Sequence, residues 1–251
     1  MKNTNKGEKR IVLDDHTMRT YYHLDYPYDS VETGKGENAQ LGGVSPGYDR
    51  NAPNSWDEVP MAKGFPPDDL NLDYLIVDKK ATMTDAISPF NSGGFLLSPR
   101  LKSLLEGFNL PPHKFYPARL LHKQVFYDYF YFHVVFDYTE HLEYGRSRFG
   151  IHSNKESYFN PKKLSDIHFA SKEQMDAKWV ELRAADLTVR TYIQNERLIF
   201  NQTFSYDIFY LSPSKFIISD LLYMAMKDNQ ITGLLFEPSV LVRDSDEMFN
   251  D

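Results

Sequence analysis

Gly43-Val44-Ser45-Pro46-Gly47 fits the G-x-S-x-G pattern, in which a strained strand-to-helix turn presents a nucleophilic serine for acyl transfer. That chemistry draws an oxyanion-hole N–H from the residue after the serine. Here the residue is Pro46, which has no N–H to give, and no apolar strand leads in. The segment reads as a loop. His133 and His141 flank an aromatic run, and His16 follows Asp14 and Asp15. Neither spacing matches H-E-x-x-H or another pattern that sets two metal donors on one helix turn. His133 is therefore expected as a hydrogen-bonded core or interface histidine, and Asp14-Asp15-His16 as a solvated turn. The acidic pairs Asp68-Asp69 and Asp244-Ser245-Asp246-Glu247 lie in loop-like segments, and the latter does not complete a calcium loop. Gly34-Lys35-Gly36 is too short for a phosphate cradle. The reading assigns no catalytic, cofactor-binding or metal-ligating residue and expects no cofactor.

The run Phe126, Tyr127, Tyr129, Phe130, Tyr131, Phe132, Phe136 and Tyr138 carries the other chemical possibility. Alternate aromatics could line a partner-binding face, since such residues are enriched at interfaces. The same run also reads as a central strand with buried faces, because aromatics supply large core areas. A single-stranded nucleic-acid platform would interleave Lys or Arg to follow phosphates. Asp128 and Asp137 are the charges found instead.

These residues need elements to hold them. Tyr74 to Val77 predicts a short strand. Ser98 as N-cap, Pro99 at N1, Leu101, Leu104 and Leu105 on one face and Gly107 beyond the end predict a helix. Lys114 to Leu121 and Val125 to Tyr138 predict two strands, the longer one in a hairpin. Further strands are expected at Ile167–Ala170, Val189–Ile193, Arg197–Phe200 and Ile208–Leu211. Helices are expected over Lys172–Ala185 and from an N-cap at Ser219 through Lys227. Leu234 to Val242 closes the pattern as a strand that Pro238 marks as an edge or a bulge. The interleaving lacks a strict βαβ rhythm, which predicts an α+β fold with a mixed or mainly antiparallel sheet.

Two stretches echo each other at an offset of 121 residues: Ser98 onward to Pro117, and Ser219 onward to Pro238. Leu101 aligns with Leu222, Leu105 with Met226, Leu110 with Ile231 and Phe115 with Phe236. Either the chain holds two related helix-loop-strand halves, or a common supersecondary unit recurs.

The chain has 251 residues, a net charge of -7 and no cysteine. Residues 1–70 hold 8 basic and 12 acidic residues among many Gly and Pro, and read as a turn-rich acidic extension. Residues 71–251 read as one α+β domain. The acidity argues against nucleic acid as a partner, and the missing cysteine excludes disulfides and thiolate chemistry. No apolar run reaches the roughly 18 residues of a membrane span. Ile11-Val12-Leu13 is far short of the roughly 7–15 residues of a signal-peptide core. The expected place is the cytoplasm, away from membranes.

Gly94-Phe-Leu-Leu-Ser-Pro-Arg-Leu-Lys-Ser-Leu-Leu-Glu106, Phe115-Tyr-Pro-Ala118 and the aromatic strand resemble a bacterial polymorphic-toxin immunity family. So do Asp137-Tyr-Thr-Glu140, Ser147-Arg-Phe149 and Ile231-Thr-Gly-Leu-Leu-Phe-Glu-Pro238. The family was formerly a domain of unknown function and has myxobacterial members. The resemblance covers roughly Phe90 to Phe149 and Ser219 to Val242, with an echo at Tyr21-Tyr22-His23-Leu24. It implies a non-catalytic cytoplasmic protein that binds and neutralises a cognate, basic toxin polypeptide. The alternatives are an enzyme with a small-molecule pocket assembled from distant residues, and a self-associating scaffold.

Overall fold

Local capping chemistry places the two helices around which the fold is organised. The computed structural model describes residues 20–27, 30–34, 40–60, 64–76, 79–89, 94–156, 160–185, 191–212, 215–239 and 242–243. The chain begins β1 (Tyr21–Asp25), α1 (Ser30–Thr33), β2 (Gly43–Val44), β3 (Asp73–Ile76), β4 (Ala86–Ile87), β5 (Gly94–Leu97) and α2 (Pro99–Leu105). It continues β6 (His113–His122), β7 (Val125–Val134), β8 (Arg148–Ser153), β9 (Lys162–Ile167), α3 (Lys172–Ala185) and β10 (Thr191–Ile199). It ends β11 (Ile208–Ser212), β12 (Lys215–Ser219), α4 (Asp220–Asp228), β13 (Leu235–Pro238) and β14 (Val242–Arg243). Three mostly antiparallel sheets result, ordered β2-β3-β6-β7-β5-β4, β11-β12-β1-β13 and β14-β10-β8-β9. The fold is α+β.

The 121-residue echo is a structural duplication. β4-β5-α2-β6 and β11-β12-α4-β13 share connectivity, and their strands share register. Ala86 and Ile87 pair with Leu97 and Leu96, as Ile208 and Phe209 pair with Ile218 and Ile217. Parallel pairing recurs too: Leu75 with Leu121 and Ile76 with His122 in one unit, Leu198 with Val242 and Ile199 with Arg243 in the other. In the first unit β7 lies between β5 and β6, where Phe132 faces both Phe95 and Phe115. In the second unit that place is taken by β1 from the opposite end of the chain, and Leu24 faces Phe216 and Phe236. The second unit is thus a circularly permuted copy of the first.

Cap chemistry repeats in step and locks the units together. Ser98 Oγ donates to Asp85 Oδ1 at 2.7 Å and accepts from the Leu101 N–H at 3.2 Å. Ser219 Oγ donates to Asp207 Oδ1 at 2.8 Å and accepts from the Leu222 N–H at 3.3 Å. The second oxygen of each aspartate reaches across. Asp85 Oδ2 accepts the Thr232 N–H (3.0 Å) from the loop after α4, and Asp207 Oδ2 accepts the Asn109 N–H (2.9 Å) from the loop after α2. Each carboxylate therefore orients the serine that caps its own unit's helix and holds the other unit's loop.

The inner faces of the two units meet in one core. Phe95, Leu97, Leu101, Leu105 and Phe132 pack with Phe216, Ile218, Leu222, Met226 and Leu24. Each outer sheet face is covered differently. Leu41, Leu70 and Leu72 cover the first, with Trp56 packed beside them. β8, β10 and α3 cover the second through Phe149, Ile193, Leu198 and Met175. Residues 40–60 and 64–72 are therefore wrapped on the body, and Leu70 at the end of the compositional extension is itself buried.

Several element predictions need correction. β7 ends at Val134, because Asp137 then caps a 3-10 turn by accepting from the Thr139 N–H at 3.0 Å. The strand expected at Ile167–Ala170 lies earlier, at Lys162–Ile167, where an exposed polar sequence hid it. The two strands expected after residue 189 are one strand, β10, interrupted by a bulge between Asn195 and Arg197. Pro238 ends β13, an edge strand, and β14 then joins a different sheet. Among the described residues no helix is long and apolar enough to cross a membrane.

Candidate interaction surface

β6 and β7, ten residues each, form a hairpin in which β3 pairs with the far half of β6 while the far half of β7 extends past β5. Lys123 and Gln124 make the turn with φ of 50° and 65°. Two positive φ values suit the twist of a tight hairpin but favour Asn-Gly, so each of these L side chains costs roughly 1 kcal/mol. β5 pairs with β7 only at residues 130–133, and no strand neighbours residues 125–129 on that side among the described residues. Val125, Phe126 and Tyr127 are 51%, 50% and 37% exposed, with Phe126 and Tyr127 on opposite faces of the strand.

A second apolar element lies beside this edge. Leu75, Leu121 and Phe126 are in register across β3, β6 and β7 and form one row on one face. The next row is Asp73, Arg119 and Asp128. The Arg119 guanidinium grips Asp73 through Nε at 2.9 Å and through Nη2, and it lies 5.0 Å over the Phe126 ring. It thereby holds Phe126 against the sheet while leaving half of it exposed. On the other face, His122 is 2% exposed and neither ring nitrogen has a hydrogen-bond partner among the described residues. Leaving such a group unsatisfied costs on the order of 1–3 kcal/mol. An exposed apolar edge and an unsatisfied buried ring are the kinds of expense that concentrate where a protein binds something.

The sequence candidates fall elsewhere. Ser45 is buried after the two-residue β2, its N–H donating to the Asp73 carbonyl at 3.1 Å, and a turn with Gly47 at φ 87° follows in place of a helix. No nucleophile elbow forms. His133 is a core histidine as expected. Its Nε2 meets the Gly64 carbonyl at 2.8 Å, its ring lies among Tyr116, Tyr131 and Phe65, and burial lowers its pKa. His141 stacks on Phe136. Asp68 is an exposed partner of Lys114. Gly34 holds φ 70°, and a Cβ added there would collide with the Lys80 carbonyl. Asp14, Asp15, His16, Lys35, Gly36 and the 244–247 acids lie outside the described residues. Among the described residues no group of three or more acidic or histidine side chains is arranged to hold a metal.

One titratable cluster escaped sequence reading. The β10 bulge directs Glu196 over Gly150, where an added Cβ would come within 2.5 Å of Glu196 Oε1. Glu196 accepts from Lys163 Nζ at 2.9 Å and meets His152 Nε2 at 3.3 Å. Lys163 also pairs with Asp166 at 2.6 Å, and His152 Nδ1 is buried. With its charges engaged and the remaining histidine nitrogen shielded, the set works as a latch across β8, β9 and β10. Residues 150, 152, 163 and 196 share no local spacing; only the glycine in an apolar run hinted at a close approach.

The hairpin was legible as an aromatic run, but not its division into a buried root and an exposed tip. That division follows from where β5 stops, which the aromatic run does not encode. Neither the protein-family models nor the curated proteins compared with this chain match it.

Proposed function

We propose that this chain is a non-catalytic cytoplasmic binding protein of the immunity type, which neutralises a cognate bacterial toxin polypeptide by docking it on the far half of the β6–β7 hairpin. The observation that supports this reading most directly is the β7 edge from Val125 to Asp128, which has no neighbouring strand among the described residues, next to the Leu75-Leu121-Phe126 row. An extended segment of the partner adds to that edge through main-chain hydrogen bonds, and side chains of alternating facing meet Phe126 and Tyr127. Aromatic anchors at such a centre carry most of the binding energy. Asp128 beside Phe126 and the net charge of -7 favour a basic partner and speed its capture. The resemblance to the immunity family supplies the toxin as the partner class, and it rests on helix caps and strands that prove structural.

The test is a pull-down from native cells with the tagged full chain at low and moderate salt, beside the Phe126→Asp variant. A basic polypeptide held by the parent, weakened by salt and lost by Phe126→Asp is expected. Protection of cells expressing that polypeptide completes the assignment. Equal retention by both baits, or binding without protection, refutes the reading.

A further inference from the structure

The duplication provides an internal control for α2 and α4, because each residue from Ser98 to Glu106 has a counterpart 121 positions later. Lys102 on α2 lies 5.1 Å over Phe115 and 5.2 Å over Phe130. Its counterpart Tyr223 on α4 packs on Phe236 at 5.3 Å and stacks on Tyr22 at 4.1 Å, the counterparts of Phe115 and Phe130. The equivalence thus reaches individual side chains, and departures from it are informative.

The outer face of the helices departs. On α2 the exposed positions Arg100 and Ser103 are polar, as an amphipathic surface helix requires. On α4 their counterparts are Leu221 and Met224, 37% and 53% exposed. From Leu221 to Met226 α4 is apolar all round, although only Leu222, Met226 and Tyr223 of these are shown packed on the core. A helix with that pattern is covered on both sides. The charges at its ends name the cover. At about 100° per residue Asp220, Met224 and Lys227 fall within one arc of roughly 60°, with the two charges about 10 Å apart and Met224 between them. Laid antiparallel on a second α4 about a two-fold axis near Met224, this face is its own complement: Asp220 meets the partner's Lys227, Lys227 meets the partner's Asp220, and the methionines meet at the axis.

We infer that this face is a homodimer interface in which α4 pairs antiparallel with α4 of a second copy of the chain. The inference is independent of the toxin-binding reading, since α4 shares no residue with the β6–β7 hairpin. The absence of cysteine makes the test clean. Full-length Met224→Cys is expected to form a disulfide-linked dimer under mild oxidation, whereas Ser103→Cys at the equivalent position of α2 does not. Sedimentation equilibrium should show the parent moving from one to two chains in mass as concentration rises, with Met224→Glu fixed at one. Asp220→Lys should weaken the dimer roughly tenfold by placing like charges together. The exchange Asp220→Lys with Lys227→Asp should recover it, although both charges then oppose the helix dipole, so recovery reports pairing between chains. A parent that remains a single chain up to about 1 mM, equal cross-linking at positions 103 and 224, or no recovery in the double exchange overturns the inference.

Discussion

Asp85 does more than one residue's share of structural work. Burial disfavours its charge, but hydrogen bonds from Arg100, Ser98 and Thr232 outweigh that and hold its carboxyl at about 2, below the usual 3.8. Arg100 contributes Nε at 3.0 Å together with Nη2, while its other donors reach the carbonyls of Asn229 and Gln230 at 3.3 and 3.1 Å. Because the folded state binds this proton more weakly than the unfolded chain, the stabilisation is fully present above pH 3.8 and is lost as pH falls through about 2. It amounts to about 2 kcal/mol. Urea titrations should find Asp85→Asn less stable than the parent by about that much at pH 6, with the gap closing toward pH 2. A gap that stays constant across this range would show that the carboxylate's charge is immaterial.

At the scale of elements, legibility in the sequence followed the range of the interactions. α2 and α4 were readable because Ser98, Pro99, Gly107 and Ser219 act on neighbours within a few residues. β6 and β7 were readable because they pair with each other across a two-residue turn. β1 was not, since its partners lie some 190 residues later and nothing local in Tyr21-Tyr22-His23-Leu24 names them. β8 was hidden by Gly150, whose missing side chain serves Glu196 on another strand. The β6–β7 turn carries a further expectation. Replacing Lys123 by Asn and Gln124 by Gly suits both positive φ values and should raise stability by about 1–2 kcal/mol in thermal melts. Affinity for the proposed partner should stay unchanged, because residues 125–128 are untouched. A loss of stability would mean that the turn residues make contacts their backbone strain conceals.

Across the whole molecule, the reciprocal aspartates join the two units, which are expected to unfold as one. The sequence offers a convenient check, because Trp56 packs on the core outside the first unit and Trp179 on the core outside the second. Single-tryptophan proteins made by Trp56→Phe or Trp179→Phe should unfold in urea at midpoints that coincide with each other and with the loss of secondary structure. Removing both cross-links, with Asp85→Asn and Asp207→Asn together, should separate the two midpoints. Separate midpoints in the otherwise unaltered chain would mean that the shared core does not couple the units.

The permuted strand also has a consequence for synthesis. β1 leaves the ribosome before its neighbours β12 and β13, of which the nearer is translated roughly 190 residues later. At about 5–20 residues per second that is a delay of roughly 10–40 s. The first unit has all of its strands in hand well before then and can close while translation continues. The second cannot, so for that interval Tyr21 to Asp25 is a free strand carried on a growing chain, and the second unit closes only when this early strand returns to β12 and β13.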